Sequence, residues 1–164
     1  MGAGRPPGRR PWRSQDLTLP VLDLRLETAS LDSSVRRVES RSKVRVTLAA
    51  DVLFPFNSAQ PADRARSRIA SAAAEIRRER PDSVNVEGYT DSKGSPAFNR
   101  RLSLRRARAV KRALARRLGG DAPRLVAIGK GESNPVAGNT KPDGGDDLRG
   151  RALNRRVEVA IPRQ

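Results

Sequence analysis

The chain has 164 residues, with 34 Lys+Arg against 18 Asp+Glu and a formal net charge of +16. It contains no cysteine and no histidine, which excludes disulfides, thiolate nucleophiles, metals bound through either residue, and histidine general bases. Carboxylate chemistry, lysine chemistry or binding without chemistry is left. The excess of cations favours a polyanionic partner such as nucleic acid, acidic lipid or an anionic wall polymer, while an aromatic content of 3% counts against the stacking platforms of single-strand nucleic-acid binders.

In chain order, residues 1–15 are rich in Gly, Pro, Arg and Ser and read as a disordered basic tail. Residues 16–42 read as an N-terminal extension. Within it, residues 17–26 alternate around Pro20 like an edge strand, and residues 27–42 are polar and read as loop. Val44, Val46 and Leu48 alternate with Arg45 and Thr47, which marks a strand running towards Phe54. Pro61-Ala62-Asp63 opens a helix whose apolar residues Ala65, Ile69, Ala72 and Ile76 fall on one face, and Pro81 stops it. Val84 and Val86 lead a strand to Gly88-Tyr89, and a polar loop follows. A second helix runs from about Ala97 to Leu118 and ends at Gly119-Gly120. Leu125–Ile128 is a strand, residues 131–152 read as a long loop, and Val157–Ile161 is the last strand. The fold class expected is α+β: a β-α-β-α-β-β two-layer sandwich with helices packed on one face of a mixed sheet. No run of residues approaches the ~20 apolar positions of a membrane-spanning helix.

The second helix carries nine cations and no acid between Asn99 and Leu118. Ser103, Ala107, Val110, Leu114 and Leu118 form its core stripe, and Arg101, Arg105, Arg108, Arg112 and Arg116 form a solvated stripe roughly opposite. Arg106 belongs to neither. It projects about 40° from Val110 and about 60° from Ser103, beside the buried stripe, where a guanidinium must snorkel or have a fixed partner.

Gly88-Tyr89-Thr90-Asp91-Ser92-Lys93-Gly94, then Asn99, then Leu102-Ser103-Leu104-Arg105-Arg106-Ala107, then Val110, and finally Asn154-Arg155-Arg156-Val157-Glu158-Val159, stand in one collinear order behind Val52-Leu53-Phe54. This pattern resembles the OmpA-like peptidoglycan-binding domain family over about residues 43–162, which sets the expected domain at residues 43–164. The resemblance implies noncovalent binding of the peptidoglycan stem peptide through diaminopimelate, with Asp91 and Arg106 in the gripping positions. Asn99, Thr90 and Arg155 fall on neighbouring motif positions, and Asn57 on one that is often acidic.

The residue types suit that ligand. The side-chain end of diaminopimelate carries an ammonium for Asp91 and a carboxylate for a planar guanidinium, with helix N-terminal amides near Ser95 to Asn99 as further donors. The sequence departs from the family pattern at Asn57, at Tyr89 where histidine is common, and in the long loop Asn139 to Arg151. The leading reading is therefore a peptidoglycan-binding module, not an enzyme, that needs no cofactor or metal, with anionic wall polymers as further partners. A nucleic-acid-binding protein driven by charge alone, and a carboxylate hydrolase using Asp91 and Glu87, are the alternatives. The ligand implies a cell-envelope, extracytoplasmic location. Residues 1–13 are cationic like a signal-peptide n-region, but Asp16, Asp23 and Arg25 break up the apolar segment that should follow, so the expectation is an export segment upstream of Met1.

Overall fold

The computed structural model describes residues 26–29, 35–40, 42–55 and 58–163; for residues 26–29 it describes the backbone. Six strands, β1 (Leu26–Ala29), β2 (Val35–Glu39), β3 (Lys43–Ala49), β4 (Ser83–Tyr89), β5 (Arg124–Gly131) and β6 (Arg156–Pro162), form one sheet in the order β1-β2-β3-β6-β4-β5. β4 and β5 are parallel and every other pairing is antiparallel. The long helices α2 (Ala65–Glu79) and α3 (Pro96–Leu118) pack side by side on one face, and the short helices α1 (Ala50–Leu53) and α4 (Leu148–Asn154) precede α2 and β6 respectively. The architecture is the α+β arrangement expected, helices on one face of a mixed sheet.

The core follows from two periodicities. Val44, Val46 and Leu48 on β3, Val84 and Val86 on β4, and Val157, Val159 and Ile161 on β6 alternate inward and are buried, as the period of 2 requires. Ile69, Ala72 and Ile76 on α2, and Ala107, Val110, Leu114 and Leu118 on α3, close over them. Ser103 is also buried, and its hydroxyl accepts from Gly131 N–H at 2.9 Å while donating to Arg100 O at 3.0 Å. The stripe from Arg101 to Arg116 is exposed along its length. α3 lies very close to β4: a Cβ built at Gly88 would sit 2.2 Å from Ser103 O, so only glycine permits this packing.

Four sequence expectations are corrected. Residues 27–42 are not loop: β1 and β2 form an antiparallel hairpin that extends the sheet edge. Apolar periodicity hides β2 because two of its three helix-side positions, Arg37 and Glu39, are charged and only Val35 packs against the core. Arg37 pairs with Glu39 and, at 3.0 Å, with Glu75 of α2; Arg163 joins Glu39 and Glu79. The expected edge strand over residues 17–26 and the tail over 1–15 lie outside the described residues, apart from Leu26. β3 ends at Ala49 rather than running to Phe54, and one turn of helix intervenes. α2 begins at Ala65 rather than at Pro61, because residues 62–66 form a turn closed by Ala65 N–H to Ala62 O and Arg66 N–H to Asp63 O. The end of the long loop is helical: Asp147 caps α4, its carboxylate accepting from Gly150 N–H at 2.9 Å.

On the sheet face away from the helices, Arg156 and Glu158 are nearly buried and paired at 2.7 Å. The Arg156 guanidinium lies 3.8 Å from the centre of the Tyr89 ring, and Tyr89 donates to Glu87 at 2.7 Å. Burial first, then the bond to Glu87 and the nearby charge of Glu158, push the Tyr89 hydroxyl above its ordinary pKa. Tyr89 therefore fills a structural position.

Candidate functional site, a cationic cleft beside the first turns of α3

A cleft of about 480 Å³ opens where the C-terminal end of β4, the N-terminal half of α3, the segment after β3 and α4 converge. Its floor and apolar wall include Phe54, Pro55, Phe98, Leu102 and Leu148. Its charged lining is Arg64, Lys93, Arg106, Arg151 and Arg155 against Asp51 and Asp91. Five cations against two carboxylates leave it net positive.

A register shift between Gly88 and Tyr89 ends the regular β4–β5 ladder, as a bulge does where a strand must re-aim its side chains. Thr90 N–H then bonds Gly131 O at 2.8 Å. Thr90 and Asp91 turn into the cleft, each about 5% exposed. Thr90 Oγ1 is buried with no hydrogen-bond partner among the described residues. Asn99, 1% exposed, pins the loop to α3: its amide donates to Asp91 O at 3.4 Å and to Glu132 at 2.7 Å.

Asp91 is held by cations. Its Oδ2 accepts from Arg155 Nη1 at 2.8 Å and from Arg151 Nε at 3.1 Å, and its Oδ1 from Lys93 N–H at 3.2 Å. Burial alone would raise its pKa. The bonds from Arg155 and Lys93 N–H, with the charge of Arg151, outweigh burial and hold the carboxyl below its ordinary value. Arg155 also forks onto Asp51 at 2.9 and 2.6 Å, chiefly through which its own pKa is raised. Arg151 reaches a second carboxylate, Asp146, at 2.7 Å.

Arg106 is different. It is 5% exposed, its Nε donates to Ser58 O at 3.1 Å, and its guanidinium lies 5.4 Å from the Phe54 ring centre. No carboxylate among the described residues forms an ion pair with it. Burial pushes its pKa below the ordinary arginine value, with Asp51 and Asp91 opposing that and Arg155 and Arg105 reinforcing it. A buried guanidinium whose partners among the described residues are one carbonyl and a ring face has donors to offer an incoming anion.

Five of the six residues singled out from the sequence, Thr90, Asp91, Asn99, Arg106 and Arg155, line this one cleft. Asn57 lies outside the described residues. Two of the α3 amides expected as extra donors are engaged within the helix cap: Phe98 N–H bonds Ser95 Oγ at 3.3 Å and Asn99 N–H bonds Ser95 O at 2.9 Å. Sequence reasoning missed Asp51 and Arg151. The available signal for Arg151 was its place four residues before Arg155, the helical spacing that puts two side chains on one face.

The OmpA family profile matches residues 53–147. Outer membrane porin F of Pseudomonas aeruginosa is 40% identical over 118 residues, covering 72% of this chain and 31% of the porin. The probable lipoprotein YiaD of Escherichia coli is 31% identical over 143 residues, covering 87% of this chain and 62% of YiaD. The chain thus spans less than two thirds of either relative. The solved cell wall anchor of the T6SS from Pseudomonas aeruginosa matches with a TM-score of 0.69 at 29% identity, over 81% of this chain and 90% of that one. The peptidoglycan-associated lipoprotein from Burkholderia pseudomallei matches with a TM-score of 0.54, also at 29% identity, over 68% of this chain and 88% of that one. With the profile spanning more than half of the sequence and the same collinear motif lining one cleft, the chain belongs to the OmpA family.

Proposed function

We propose that this domain binds peptidoglycan noncovalently in the cell envelope, gripping the side-chain end of diaminopimelate in the Asp91–Arg106 cleft, and that it anchors without catalysing a reaction. The observation that carries the reading is Arg106: a buried cation with no carboxylate partner among the described residues, facing the same cleft as a carboxylate, Asp91. The diaminopimelate carboxylate takes the Arg106 fork and its ammonium takes Asp91. Thr90 Oγ1, without a hydrogen-bond partner among the described residues, supplies a further hydrogen bond. Asn99 and Arg155 hold the Asp91 loop in place. A lysine-type stem peptide offers no second carboxylate and leaves Arg106 unpaired, a larger loss than a missing apolar contact. The relatives support the envelope setting, since those named above are an outer membrane porin, a probable lipoprotein, a cell wall anchor and a peptidoglycan-associated lipoprotein.

The test is retention on isolated sacculi of diaminopimelate and lysine types. The expected result is preference for the first, abolished by Arg106→Gln and preserved in Arg108→Gln. Equal retention on both wall types, lost in moderate salt and indifferent to Arg106, overturns the reading.

A second contact accompanies the first. Arg101, Arg105, Arg108, Arg112 and Arg116 are exposed and form no ion pair among the described residues, unlike Arg78, Arg151, Arg155 and Arg163. We infer that this stripe adds salt-sensitive, nonspecific attraction to anionic wall polymers. Nucleic-acid binding rests on charge alone. A steep salt slope for DNA at physiological ionic strength would favour it instead.

A further inference from the structure

Asp91, the residue assigned to the ligand's ammonium, already has cationic partners of its own. Its Oδ2 holds both Arg151 and Arg155, and its Oδ1 holds Lys93 N–H. Among the described residues one lone-pair site is left on Oδ1, and an ammonium arriving there comes close to both guanidinium groups. Repulsion among the three cations favours release of the more weakly held guanidinium. Arg155 is pinned by its fork to Asp51 at 2.9 and 2.6 Å. Arg151 holds Asp91 by Nε alone, at the longer distance of 3.1 Å, and its Nη1 is already on Asp146 at 2.7 Å. Asp146 is 40% exposed and sits 4.0 Å from the Lys93 ammonium.

We propose that Arg151 is the displaceable internal cation of this cleft, standing in for the ligand's ammonium on Asp91 and withdrawing onto Asp146, which it already holds, when the ammonium arrives, and so limiting how tightly the cleft takes ligands with a free amine. This rests on the function proposed above and deepens it. Arg151 shares the neutralisation of Asp91 with Arg155 until the ligand's ammonium takes its place. A ligand bringing a carboxylate but no ammonium leaves Arg151 where it is. A zwitterionic ligand has to out-compete it, and Asp146 makes that exchange possible by keeping the released guanidinium paired.

The experiment uses the full chain and calorimetric titration with two probes: a stem tripeptide ending in meso-diaminopimelate with its side-chain amine free, and the same peptide acetylated on that amine. Arg151→Met keeps the length and removes the charge. It is expected to tighten the free-amine peptide about fivefold and to leave the acetylated peptide unchanged. Asp146→Asn removes the receiving carboxylate and is expected to weaken the free-amine peptide about threefold. The double variant is expected to match Arg151→Met, because Asp146 matters only while Arg151 is present. A merely structural role for the pair moves both single variants in the same direction and leaves the two peptides equally affected; that result, or weaker free-amine binding in Arg151→Met, overturns the proposal. Should Arg151→Met not fold, the two-peptide comparison in Asp146→Asn decides, with equal effects on both counting against. Failure of the wild-type chain to bind either peptide, with Arg106→Gln indistinguishable from it, removes the peptidoglycan reading and this proposal together; binding by the wild type with no gain in Arg151→Met removes this proposal alone.

Discussion

Replacing Gly88 with alanine tests whether the close approach of β4 and α3 positions the cleft. A Cβ at this position would meet Ser103 O at 2.2 Å and Ser103 C at 2.9 Å, both backbone atoms that no rotamer change can move. Ordinary contact begins at 3.4 Å, so helix and strand must separate locally by roughly 1 Å. Overpacking of this kind costs about 1–3 kcal/mol, which in a domain of this size lowers the melting temperature by roughly 3–15 °C. The shift also acts on function. Ser103 lies one turn before Arg106 on α3, and Gly88 lies three residues before Asp91, so the change alters the spacing of the two residues proposed to grip the ligand. Thermal unfolding followed by circular dichroism reads the first effect, and sacculus retention of the still-folded variant reads the second. Gly120→Ala is the control, since nothing among the described residues lies within 4 Å of a Cβ there. A Gly88→Ala protein that melts with the wild type and binds sacculi equally would refute the claim that glycine is required for this packing.

Other outcomes follow from the same geometry. Glu158→Gln strips Arg156 of its paired carboxylate while both remain nearly buried, and should lower stability by about 3 kcal/mol, read as a reduced urea midpoint at constant slope. Relief of repulsion from Glu87, directly opposite on β4, offsets part of this, so Glu87→Gln should be milder. Asp91 has a folded pKa below its ordinary 3.8; its ion pairs therefore contribute stability that is fully present above that value and is lost as pH falls through the folded pKa. The wild type should accordingly lose more stability than Asp91→Asn between pH 5 and pH 2 in thermal melts. Charge neutralisation of Arg105, Arg108 and Arg112 to Gln should flatten the salt dependence of sacculus binding without changing the preference for diaminopimelate walls.

How far the sequence reveals this molecule depends on what kind of contact each element makes. α2 and α3 bury apolar stripes at helical spacing, and β3, β4 and β6 bury alternating valines, so hydrophobic periodicity finds them. β2 faces α2 with Arg37 and Glu39, and the pattern that marks an amphipathic strand is absent although the pairing partners are present. α4 is short, and its large residues Leu148 and Leu153 are exposed, so it has no apolar stripe to detect. Its capping Asp147 was legible in principle but lay in a Gly- and Asp-rich stretch. At the cleft, the motif supplied Asp91, Asn99 and Arg106, and the angular position of Arg106 beside the core stripe agreed with its burial. The pairings of Arg151 with Asp91 and of Asp51 with Arg155 were not legible, because the partners stand 60 and 104 residues apart. Neither separation carries a local signature.

Those long separations set the order in which a growing chain can acquire its grip. Asp51, Arg155, Asp91, Arg151 and Asp146 form one run of alternating charges across the cleft, yet their positions span most of the domain from β3 to the start of β6. A nascent chain that has passed α3 already holds Asp91 and Arg106 but has neither of the arginines that brace Asp91. The cleft is complete only when α4 and Arg155 have been made and β6 has slotted between β3 and β4, the last strand to arrive and a central one in the sheet. On the function proposed above, ligand affinity is a late property of synthesis, withheld from any fragment that ends before the final strand.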